Sequence, residues 1–160
     1  MTRRSVLVAL LAFVLALPAM AIAQTPNFTG KWTQDMEKSD PPSQGMGGGG
    51  GRGPAGPQAW TYTQSATELV MERETPNGMM KTVYKLDGSP SVNAGGRGGE
   101  VTSKSAWEGS KLVTKYTRTM GENTIDVVET RYMEGENLVV ESVMKTPNGE
   151  RTSKLVFKKG

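Results

Sequence analysis

The chain has 160 residues, with 19 Lys+Arg against 16 Asp+Glu, and contains no His and no Cys. The commonest general base, the thiol nucleophile and the usual transition-metal ligands are therefore missing, and no disulfide can staple the fold. Two of the basic residues, Arg3 and Arg4, sit in a leader-like N-terminus, which leaves 17 against 16 and no basic stripe for nucleic acid.

Arg3 and Arg4 open a positive n-region, Val6 to Leu17 is almost unbroken hydrophobe, and Pro18 leads into the small-x-small run Ala21-Ile22-Ala23. The apolar run is shorter than the roughly 20 residues that a membrane-spanning helix needs. The expectation is a signal peptide over residues 1–23, cleaved after Ala23, with a retained anchor as the alternative. The mature protein would then be periplasmic or secreted, with no stable membrane insertion after signal removal. Residues 24–160 suffice for a single domain with one core.

Beyond Gln24 the chain alternates short apolar–polar runs with glycine turns. A first strand is read at Gly30 to Thr33, followed by a Gly/Pro-rich stretch, Ser39 to Pro57, expected to be a mobile loop. Strands follow at Gln58–Gln64, Glu68–Glu74, Met79–Leu86, Glu100–Trp107, Lys111–Arg118, Thr124–Met133, Asn137–Lys145 and Arg151–Lys158. Turn signals separate them: Pro76-Asn77-Gly78, Asp87-Gly88, Glu108-Gly109, Gly121-Glu122-Asn123, Glu134-Gly135 and Pro147-Asn148-Gly149. Asn93 to Gly99 reads as a second Gly-rich loop. The pattern predicts an all-β protein, an antiparallel up-and-down meander. Closure into a barrel hides the edges of such a meander, and about eight strands are expected to close it, one of the nine being short, merged or outside.

Phe28-Thr29-Gly30-Lys31-Trp32 resembles the Gly-x-Trp signature that opens the first strand of lipocalins and their calycin relatives. Asp35 and the Lys38-Ser39 pair, then Tyr84-Lys85-Leu86-Asp87-Gly88 and Trp107-Glu108-Gly109, are similar to small secreted bacterial lipocalin-like domains. The resemblance implies a calycin-type barrel of unassigned activity.

Period two assigns the faces of the strands. Leu69, Met71 and Arg73 share one side, as do Met80, Thr82, Tyr84 and Leu86, then Val101, Ser103, Ser105 and Trp107, then Leu112, Thr114, Tyr116 and Arg118. Thr124–Met133 reads either way, with Ile125, Val127, Glu129 and Arg131 opposed to Val128, Thr130 and Tyr132. A barrel of this size is filled by side chains or holds one small ligand, and the small inward hydroxyls suit a cavity or a hydrogen-bonded core equally. Strand direction places Trp60, Arg73, Met80, Trp107 and Arg131 at a mouth beneath the Ser39–Pro57 loop, with Trp32 and Arg118 at the far, sealed end. Tyr84, Ser105 and Tyr116 join the five mouth residues as candidate ligand-binding positions.

No spacing of Ser, Lys, Asp or Tyr marks a catalytic site, no acidic loop has calcium spacing, and no cofactor is indicated. The leading reading is a non-enzymatic exported barrel binding a small, partly apolar amphiphile, with an anionic head group at the mouth arginines as one option and a solvated or paired arginine as the other. The alternative is an envelope protein-interaction or inhibitor module with a protein partner; an enzyme ranks third.

Overall fold

The computed structural model describes residues 25–41, 56–76, 78–95, 99–120 and 123–160. The expected signal peptide over 1–23, and most of the expected loop at 39–57, lie outside the described residues. Among the described residues ten strands are present: β1 (Gly30–Gln34), β2 (Ala59–Gln64), β3 (Glu68–Thr75), β4 (Gly78–Lys85), β5 (Asp87–Ala94), β6 (Glu100–Glu108), β7 (Lys111–Met120), β8 (Asn123–Glu134), β9 (Asn137–Thr146) and β10 (Gly149–Lys159). They form one antiparallel sheet in the order β4-β3-β2-β1-β10-β9-β8-β7-β6-β5, so β1 meets β10 and the sheet curls into a nearly closed barrel. Among the described residues no helix is long and apolar enough to cross a membrane.

The one break in the ladder falls between β4 and β5, at the two ends of the strand order. Side chains bridge it. The Val83 amide donates to Asn93 Oδ1 at 2.7 Å, Asn93 Nδ2 donates to the Val83 carbonyl at 2.9 Å, and the Lys85 amide donates to Ser91 Oγ at 2.8 Å. Short tight turns close the hairpins elsewhere. Gly109 and Gly135 open the β6–β7 and β8–β9 turns at φ 62° and 61°, a region an L side chain enters only with strain.

Strand β5 corrects the sequence reading, which took Asp87-Gly88 as a turn and left 89–94 without a strand. Gly88, at φ 84°, lies inside β5 at a register shift between Asp87 and Pro90. A bulge and a proline are tolerated there because β5 is an edge, with one side needing no backbone partner. The strand count is therefore ten instead of about eight, and every strand after β4 runs opposite to the expected direction.

One end, the lower, carries the start of β1 and the β2–β3, β4–β5, β6–β7 and β8–β9 turns. The upper end carries the end of β1, the start of β2 and the remaining four turns. The lower end is sealed by Phe28 and Trp32, both fully buried, with Phe28 stacked on Trp107 at 5.7 Å between ring centroids. Trp32 Nε1 donates to the Phe28 carbonyl at 2.8 Å, and Gln64 clamps the segment before β1 by bonding the Phe28 amide and the Pro26 carbonyl. Leu69, Leu86, Leu112, Leu138, Val140 and Phe157 join this main core, while Ile125, Val127 and Met144 form a smaller cluster with Tyr116.

Three expected placements are corrected by the extra strand. Arg131, expected at the mouth, lies three residues before the lower end of β8, opposite Leu112 and level with Trp107. Trp107 finishes β6 at the sealed lower end, beside Phe28, and not at the mouth. Arg118, two residues from the end of β7, lies at the upper end, far from Trp32, over whose ring Lys159 sits instead at 5.8 Å. Trp32 is buried at the sealed end, as expected.

Candidate functional site

Strand β8 settles its ambiguity by turning Ile125, Val127, Glu129 and Arg131 inward, where Leu112 opposes Arg131 and Tyr116 opposes Val127. Arg131 is fully buried, yet every part of its guanidinium is engaged. Nε donates to the Tyr62 hydroxyl at 3.3 Å and Nη1 to Thr114 Oγ1 at 3.3 Å. Nη2 donates to the Tyr84 hydroxyl at 3.0 Å and to Glu129 Oε2 at 2.5 Å. The guanidinium carbon also lies 4.6 Å from the centre of the Tyr84 ring.

The partners are themselves anchored. The Tyr62 hydroxyl donates to Met71 Sδ at 3.4 Å, the Tyr116 hydroxyl to Glu129 Oε1 at 2.8 Å, and Ser105 Oγ and Thr114 Oγ1 share a bond of 2.9 Å. Burial pushes the Tyr62, Tyr84 and Tyr116 phenols well above their usual range. Burial opposes the charge on Arg131, but Tyr84, Tyr62 and Glu129 outweigh it and hold the guanidinium firmly protonated.

Of the eight candidates, Tyr84, Ser105, Tyr116 and Arg131 thus meet in one central network whose hydrogen bonds are largely made within the protein. The sequence reading missed three of Arg131's partners, one of them Thr114, which it set on the inward face but not in the site. Tyr62 was signalled by period two from Trp60, and Glu129 by its shared face with Arg131.

Trp60, Arg73 and Met80 form a second group, adjacent across β2, β3 and β4 in register toward the upper ends of those strands, with Trp60 also opposite Trp32 in the β1–β2 register and continuous with the main core. Trp60 packs on Phe157 with ring centroids 4.2 Å apart. Arg73 Nη2 donates only to the thioether of Met80, at 3.3 Å, a weak acceptor. Among the described residues three buried donors find no protein acceptor: Trp60 Nε1, Arg73 Nε and Ser103 Oγ. Buried donors are nearly always satisfied, so two on neighbouring residues mark a place built to meet something else. A depression of about 580 Å³ between Asn27, the β8–β9 turn and the end of β10 contains none of these donors. Among the described residues no three Asp or Glu side chains cluster as metal ligands.

No protein-family model and no curated protein matches the sequence. Solved structures do match in shape. Zebrafish ileal bile acid-binding protein, solved with cholic acid, superposes with a TM-score of 0.64 at 17% identity, over 83% of this chain and 98% of that one. Lipid binding protein 8 of Caenorhabditis elegans gives 0.64 at 14% identity, over 83% of this chain and 95% of that one. A secretory abundant heat soluble protein of Ramazzottius varieornatus gives 0.61 at 14% identity, over 88% of this chain and all of that one. The chain has the calycin-like barrel fold.

Proposed function

We propose that the protein is an exported, non-enzymatic barrel that holds one small, partly apolar molecule in its upper interior. The observation that carries this reading is the pair of buried, unpartnered N–H donors on Trp60 and Arg73, set beside the aromatic and thioether groups of Tyr62, Phe157 and Met80. Binding sites of this kind are mostly apolar with a few convergent polar groups. Similarity of fold to proteins named for bile-acid and lipid binding supports the same reading. Export rests on Arg3-Arg4, the Val6–Leu17 run and Ala21-Ile22-Ala23.

The test is a fluorescence titration of the purified protein with twelve-carbon amphiphiles, backed by mass spectrometry of a denatured extract for co-purified ligand. A saturable change in tryptophan emission is expected; it should largely vanish in Trp60→Phe and persist in Trp32→Phe and Trp107→Phe, whose indoles belong to the sealed end. No response to any amphiphile, with the fold intact by circular dichroism, would overturn the reading in favour of a protein-interaction module.

A further inference from the structure

Resting on that binding reading, we propose that the ligand's polar end is a carboxylate taken up by Arg73 and Trp60 just inside the upper end, and not by the deeper Arg131.

The two arginines differ in what remains unmade. Arg131 already spends its N–H groups on Tyr62, Thr114, Tyr84 and Glu129, and the Glu129 carboxylate balances its charge. Introducing a second anion there would set it against Glu129. Arg73 has no carboxylate partner among the described residues, and its Nε is buried without an acceptor. Trp60, directly opposite in the β2–β3 register, buries an indole N–H in the same state. Cβ atoms of such opposed pairs lie about 4.5–5.5 Å apart on one face of the sheet. A carboxylate offers two acceptor oxygens and one negative charge, which answers two donors and one unbalanced cation.

The upper rim repeats the preference. Arg73, Arg118 and Arg151 each stand two residues inside a turn at this end, on the register positions of the inward residues Trp60, Ile125 and Met144. The carboxylates described nearby, Glu74, Glu100, Asp126 and Glu150, fall on the alternate, outward positions and are exposed. At this rim an approaching anion therefore meets three guanidinium-bearing positions, while Glu129, the acid that faces inward, lies deeper and is already paired with Arg131, a field that favours its capture. The ligand's apolar remainder lies across the barrel, against the cluster of Ile125, Val127 and Met144, whose Ile125 and Met144 oppose Arg118 and Arg151 in register on the far wall.

The experiment compares dodecanoate with dodecanol, below micellar concentration, on the full chain at neutral pH. The wild type should bind dodecanoate more tightly. Arg73→Met should weaken dodecanoate roughly ten- to a hundredfold and leave dodecanol nearly unchanged, in line with the loss of a charge-assisted bond. Trp60→Phe, which keeps the ring and removes the donor, should cause a smaller loss in the same direction. It also serves as the second readout should Arg73→Met fail to fold. Equal affinity of the wild type for both ligands, or equal losses for both in the variants, would overturn the carboxylate site while leaving the binding reading intact. Failure of both ligands to bind the wild type would overturn the binding reading itself.

Discussion

A guanidinium closed inside a barrel is tolerable only while its charge and donors are met, and the two halves of the Arg131–Glu129 pair are not equally deep. The Arg131 side chain is 2% exposed and that of Glu129 19%. Removing the acid strands the deeper charge, whereas removing the arginine leaves a carboxylate that can turn toward water. Glu129→Ala should therefore cost about 3–5 kcal/mol in urea unfolding, the range for breaking a buried pair, and Arg131→Leu less. Equal costs, or a larger cost for Arg131→Leu, would contradict this depth argument. Asp35 and Lys158 form a second pair, 2.9 Å apart, joining the end of β1 to β10. The hydrogen bond from Lys158 holds the Asp35 carboxyl below its usual value despite opposing burial. With the folded value depressed, the stabilisation is present above the unfolded pKa of about 3.9 and is lost as pH falls through the folded one. Asp35→Asn should hence lower the melting temperature at pH 7, and the difference from wild type should shrink steadily below pH ~4.

At the level of elements, the β4–β5 seam is held by side chains where the other neighbouring strands use backbone. Asn93 supplies both a donor and an acceptor to Val83, doing the work of a ladder pair. Asn93→Ala should cost about 1–3 kcal/mol and speed hydrogen exchange at the Val83 amide more than at Leu112 in the closed part of the sheet; unchanged exchange at Val83 would show the seam to be held otherwise. The same strand marks where the sequence stopped being legible. Hairpins at Glu108-Gly109 and Glu134-Gly135 could be read because glycine's positive φ and flanking alternation coincide. Asp87-Gly88-Ser89-Pro90 carries equally strong turn chemistry: Asp87 Oδ1 accepts from the Ser89 amide at 2.9 Å and its hydroxyl at 2.6 Å. That local turn is real, but it sits at the head of an edge strand. Missing one strand inverted every direction after it, which is why Trp60, Arg73 and Met80 were placed at the correct end and Trp107, Arg118 and Arg131 at the wrong one. The faces survived the error, since period two is independent of direction. The pairing of Glu129 with Arg131 was signalled by their shared face but not its burial, because both faces of β8 carry apolar and charged residues alike.

For the molecule as a whole, the tyrosines report closure of the barrel. All four in the sequence have phenols raised above their ordinary value of 10.0. Three line the interior, where burial disfavours the phenolate. Tyr132 is pushed to about 12, first by burial and then by its hydrogen bond to Glu141, made at 2.8 Å. A raised folded pKa means the folded state holds its protons longer than the unfolded chain. The associated stability is fully present below the unfolded pKa of about 10 and is lost as pH rises toward the folded values. Absorbance at 295 nm should therefore show almost no phenolate at pH 10.5, where free tyrosines are mostly ionised. On further titration Tyr62, Tyr84 and Tyr116 should ionise together, in the same step in which the β-sheet circular dichroism collapses. Tyr132→Phe should remove only the earliest part of the absorbance rise. Ionisation near pH 10 that persists in Tyr132→Phe with the sheet signal intact would mean that water reaches the Tyr62–Tyr84–Arg131 centre freely, and the barrel would then be wet from end to end.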